Sequence, residues 1–245
     1  MSKRIKSMLR LDFYRLFRSP LFYSMLAIAA IIPAMVLAMG GLENPNIPDS
    51  VAFVVENAWE LISTKGSAFA VNGFAGFATI DMVFIFAGIL MAIFVARDYS
   101  SGFIKNIFTV HSKKEDYAIS KTAIGVFSGI CMIGTYFLGT VIAGLAASKS
   151  FDVNVGGLLL CLLSKMAMMV VFCSLYLAIA VFFKDKLWMT IVATMLLGMM
   201  FYPVAIFANL NSTFLTLIMS VAGSAMLGVA FFYVTRLFLN KRDLA

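Results

Sequence analysis

The chain has 245 residues, 62% of them hydrophobic and 13% charged, with a formal net charge of +7. A soluble domain is about 45–50% apolar and about 25% charged, so this composition excludes a soluble enzyme, a disordered chain and a DNA-binding module. It fits an integral membrane protein, in which each helical span takes about 20 apolar residues and the positive charge sits in flanks facing the cytoplasm.

Residues 1–20 read as a basic amphipathic helix. Ile5, Met8, Leu9, Phe13, Leu16 and Phe17 recur at helical spacing among Lys3, Arg4, Lys6, Arg10, Arg15 and Arg18. Such a helix lies on an anionic membrane surface. Asp12 falls on the apolar stripe, which demands a partner: Arg15, Arg18 or another protein. Ser19-Pro20 breaks the chain, and a first span follows at 21–39, kinked at Pro33. The leading segment is too long and too amphipathic for a signal peptide. Residues 40–73 form an outer loop carrying Glu43, Asp49, Glu56 and Glu60 against a single Lys65. Val51, Val54, Val55, Ala58 and Ile62 share one helical face there, so a short helix is expected on the outer surface, with Trp59 at the interface.

Further spans are expected at 74–96, 122–147, 157–183, 187–207 and 214–235. Of the 19 basic residues, six fall in the N-terminal segment, five in the loop 97–121, two in the turn 184–186 and three in the tail. All of these share one side. The expected fold is therefore an all-α integral membrane domain. It has six transmembrane helices, an N-terminal interfacial helix and cytoplasmic N and C termini.

The loop 97–121 is the most structured feature outside the spans. Ser100 or Ser101 caps a short helix that opens at Gly102. Phe103, Ile104, Ile107 and Phe108 share one face; Lys105 and Asn106 take the other. Ser112-Lys113-Lys114-Glu115 is a capping box that starts a second helix. Two Phe and two Ile on such a loop need a cover, either the bilayer surface or a groove on a partner. Two charges, Asp81 and Lys165, lie inside expected spans at matching depth from the outer side. They pair with each other or line a path, or Lys165 snorkels outward while Asp81 sits in a wet vestibule.

Little here carries covalent chemistry. There is no G-x-x-x-x-G-K-[ST] and His111 is the only histidine, so neither a P-loop nor a multi-histidine metal site is available. Cys131, Cys161 and Cys173 sit in apolar runs and read as buried thiols. No catalytic residue, metal or cofactor is assigned to this chain, and no nucleic-acid partner is expected.

The layout resembles the type-2 ABC transporter permeases, the family of small six-helix membrane subunits of bacterial drug, lantibiotic and peptide exporters. Asp12, Arg15 and Arg18 stand where that family has an acidic residue followed by basic ones in its connecting helix. Asp98, Gly102, the Phe103–Phe108 helix, Lys113 and Lys121 stand where it has an acidic residue, a glycine, a short amphipathic helix and two basic residues. The usual proline is replaced by Val110-His111, and the usual arginine by Lys113 or Lys114. The resemblance implies an exporter in the plasma membrane of a bacterium, moving an amphipathic peptide, toxin or drug. It also implies two separate ATPase subunits that bind ATP and magnesium, and a second permease copy or relative. Residues 103–108 would then be a coupling helix docked on the ATPase. A non-transporting sensor or immunity subunit, binding a cationic peptide through its acidic outer loop, is the alternative.

Overall fold

The computed structural model describes residues 3–40, 55, 57–63, 79–109, 114–184 and 186–241. Among these residues eight α-helices follow one another: α1 (Lys3–Phe17), α2 (Pro20–Gly40), α3 (Met82–Ser100), α4 (Phe103–Thr109), α5 (Lys114–Ala146), α6 (Val155–Phe183), α7 (Leu187–Ile206) and α8 (Phe214–Lys241). A 3-10 turn, Ala58–Leu61, lies between α2 and α3. Among the described residues there is no strand, only an isolated parallel bridge between Asn57 and Ser150.

The hub is α6. Its run from Val155 to Phe183 is apolar on every side apart from Lys165 and a few hydroxyls, as suits a helix surrounded by others. Helices α3, α5, α7 and α8 pack around it, α2 lies along α5, and α1 docks against α5. Asn154 caps α6 by accepting from the Gly156 amide. Close approach is set by missing side chains. A Cβ on Gly139 of α5 would collide with the Ala30 carbonyl of α2, and one on Gly157 with the Leu210 carbonyl of the α7–α8 turn. The outward faces of α2, α7 and α8 expose Met35, Trp188, Met200, Met219 and Met226 to the surroundings. Such exposed apolar faces suit a chain embedded in a membrane.

Five described helices are long and apolar enough to cross a membrane: α2, α3, α5, α6 and α8. Where a sixth span is expected, α7 contributes a shorter apolar stretch, Leu187–Met200. Two further expectations shift. The helix of the second span is described from Met82, after a turn at 79–81; the expected start at residue 74 lies outside the described residues. Asp81 is thus the N-cap of α3 and not a residue within a helix. Of the surface helix expected over 51–62, residues 51–54 and 56 lie outside the described residues, and 58–61 form instead a buried 3-10 turn: Ala58 and Ile62 are fully buried and Leu61 nearly so. Tertiary bonds override the amphipathic pattern here. The Ala58 amide donates to the Ser150 carbonyl at 3.1 Å and the Ile80 amide to the Leu61 carbonyl at 3.0 Å. The Trp59 indole donates to the Phe151 carbonyl at 3.0 Å, and its ring stacks on Phe137.

Candidate functional site

The end of the bundle that holds α1, α4 and the start of α5 contains a buried ion cluster. Asp12 and Arg15 come from α1, Asp98 from the last turn but one of α3, and Lys121 from α5. Lys121 Nζ lies 2.7 Å from Asp12 Oδ1 and 2.7 Å from Asp98 Oδ2. Arg15 Nη2 lies 2.6 Å from Asp98 Oδ1, and Arg15 Nη1 is 3.7 Å from Asp12 Oδ1. Ser120 donates to Asp12 Oδ2 at 2.7 Å and Tyr117 to Asp98 Oδ2 at 3.2 Å. Asp12, Asp98 and Lys121 are all fully buried. Two acids and two bases balance, which is the condition under which charges persist in a dry site.

Aromatic rings roof the cluster. Arg15 lies over Phe103 at 4.4 Å and Phe94 at 5.2 Å; Lys121 lies over Phe94 at 4.4 Å and Phe103 at 5.7 Å. These are cation–π distances. Phe103 is the first residue of α4, so the short helix is held to α1, α3 and α5 through its leading ring. Gly102 makes the sharp entry, at φ +69°, where any other residue is strained. Ile104 of α4 is buried within the chain, while Lys105 and Asn106 are exposed.

The sequence-derived site residues thus divide. Asp12 and Arg15 meet Asp98 in one cluster; Arg18 stays outside and stacks on Tyr14 at 4.7 Å. Phe103 and Ile104, expected to be exposed and waiting for a cover, are half-buried and buried against their own chain. The side chains of Ile107 and Phe108, and all of Lys113, lie outside the described residues. Lys114 donates to the Leu239 carbonyl of α8 at 2.7 Å, and beside it Glu115 pairs with Arg236 at 2.8 Å. The start of α5 is therefore tied to the end of α8. The sequence reading placed Lys121 in the family pattern but not among the site residues, and it omitted Ser120 and Tyr117. The signal was the unexplained Asp12, which required a buried cation at an unknown distance along the chain.

A second buried pair sits toward the other end. Lys165 of α6 is hydrogen-bonded to Asp81 Oδ1, and both side chains are buried. Asp81 Oδ2 is buried without a hydrogen-bond partner. Nearby, Cys161 donates to the Ala208 carbonyl at 3.3 Å. Among the described residues no group of His, Cys, Asp or Glu is placed to hold a metal ion.

Comparison with curated proteins and with solved structures gives no match. The family model described as "ABC-2 family transporter protein" matches residues 8–202, a stretch that includes most of α1, the ion cluster, α4 and the Asp81–Lys165 pair. With that match covering most of its length, this multi-pass membrane chain belongs to the ABC-2 family of transporter proteins.

Proposed function

We propose that the chain is the permease subunit of an ABC exporter in a bacterial plasma membrane, carrying an amphipathic peptide, toxin or drug. Two separate ATPase subunits would bind ATP and magnesium and supply the work. A second permease, identical or related, would complete the path. The carrying observation is the ion cluster, because it joins α4 to α1, α3 and α5 at once. A push on α4 is then delivered to two long helices as one unit rather than absorbed by a loose loop. Asp98, Gly102 and Phe103 transmit the push from inside the chain. On this reading the ATPase contact uses exposed Lys105, and the family resemblance assigns Ile107, Phe108, Lys113 and Lys114 to the same contact. Also supporting this reading is the distribution of charge. Lys6, Arg10, Arg18, Arg97, Lys105, Lys186 and Arg236 all lie at the end of the bundle that carries α4. Lys149 lies at the opposite end, which matches a cytoplasmic location for α4 and both termini.

The test is reconstitution in lipid vesicles with an ATPase subunit that co-purifies with the chain. Cargo-stimulated ATP hydrolysis and vesicle uptake are expected for the intact chain. Phe103→Asp should abolish stimulation while the ATPase alone keeps its basal rate. Cargo binding with no effect on hydrolysis would instead favour a sensor, and full transport without any ATPase would overturn the reading.

A further inference from the structure

Helix α1 has two working faces. Asp12, Met8 and Leu16 point into the bundle and are buried. On the opposite side, at about 3.6 residues per turn, Lys6, Arg10 and Arg18 share one arc with Leu11, Tyr14 and Phe17, and all six are exposed. Asp12 is the only acid in α1, so this arc carries positive charge alone. Among the described residues Lys6, Arg10 and Arg18 form no ion pair; Arg4 has Asp116 at 3.9 Å, and Arg15 is spent on the cluster.

Two observations identify the occupant. Charge calls for an anion, and the interleaved Leu11, Tyr14 and Phe17 call for an apolar bed beneath it. Phosphate headgroups over acyl chains offer both, at one depth. Position agrees: α1 ends just before Pro20, where the spanning helix α2 begins, so the arc lies at the edge of the hydrocarbon layer. A nucleic acid would satisfy the cations and leave the three apolar side chains wet.

We propose that Lys6, Arg10 and Arg18 form a binding surface for anionic phospholipid headgroups. Filling it steadies the ion cluster on the other face of the same helix, so leaflet charge regulates how firmly α4 is held. This goes beyond the transport reading and does not depend on it, since neither ATPase nor cargo enters the test. The full chain is placed in nanodiscs of phosphatidylcholine, with or without a quarter of phosphatidylglycerol, and hydrogen–deuterium exchange is followed in peptides covering 3–17 and 98–109. Exchange in both should slow at least about fivefold with the anionic lipid, and 0.5 M salt should erase most of the difference. The K6Q/R10Q/R18Q variant should lose the response and keep the exchange of the parent in neutral lipid, whereas K6R/R10K/R18K should retain the response. Equal exchange in both lipids, or an undiminished response in the Gln variant, overturns the proposal. So does equal protection by soluble polyglutamate in neutral nanodiscs, which would point to an acidic protein instead.

Discussion

Lys121 is fully buried and holds two carboxylates from two other helices, each at 2.7 Å. Removing its charge leaves Asp12 and Asp98 sharing Arg15 alone. A buried pair broken from one side costs about 3–5 kcal/mol. Lys121→Met should therefore lower the melting temperature of the purified chain sharply, whereas Arg18→Gln, outside the cluster, should leave it in place; fluorescence-monitored melting in detergent separates the two. Asp81 and Lys165 behave as a couple for the same reason. Asp81→Leu alone strands an ammonium group and should cost about 3–5 kcal/mol. Adding Lys165→Met to it should recover most of that loss. A double variant no more stable than the singles would show that the two charges act separately.

At the level of elements, helix contacts are set by backbone proximity. Gly139 abuts the Ala30 carbonyl, so Gly139→Ala must push α2 and α5 apart, at a cost of about 1–3 kcal/mol. Gly134, on the same helix, has open space where its Cβ would lie, and Gly134→Ala should be silent. Paired melting curves check this contrast. The spacing of small residues in α5 was visible in the sequence; which of them touch a neighbour was not, because that depends on where α2 crosses. The same limit explains the rest. The turn between α3 and α4 was legible, since Gly102 is a local signal. So was the trouble with Asp12, a carboxylate on an apolar stripe. Its solution, Lys121, is 109 residues away and has no local signature. The turn at 58–61 misled for a related reason. Its apolar spacing suits a surface helix, yet Asn57, Trp59 and Leu61 are claimed by partners from α5, the α5–α6 loop and the start of α3.

Across the whole molecule, one end is ringed by exposed cations and carries the ion cluster; at the other, residues 57–63 tie neighbouring elements together. That segment bonds to Ser150, Phe151 and Asp152 on one side, and to Ile80 and Leu210 on others. Parting the helices at that end therefore means releasing several partners together. The orientation is checked by labelling with a thiol reagent that cannot cross membranes, in a chain whose Cys131 is replaced by Ser. Ser150→Cys should react in intact cells, and Lys105→Cys only after permeabilisation. The reverse pattern would invert the assignment of sides.

Synthesis runs from the N-terminus, and the four charges of the cluster emerge in a fixed sequence: Asp12, Arg15, Asp98 and finally Lys121. Until α5 leaves the ribosome, the half-made site holds two negative groups and one positive group, and it cannot close without trapping excess charge. A nascent chain cut short before Lys121 is thus unable to seat its first helix. Such a fragment leaves Asp12, Met8 and Leu16 without the helix that buries them, so the burial of the first helix waits on a lysine made more than a hundred residues later.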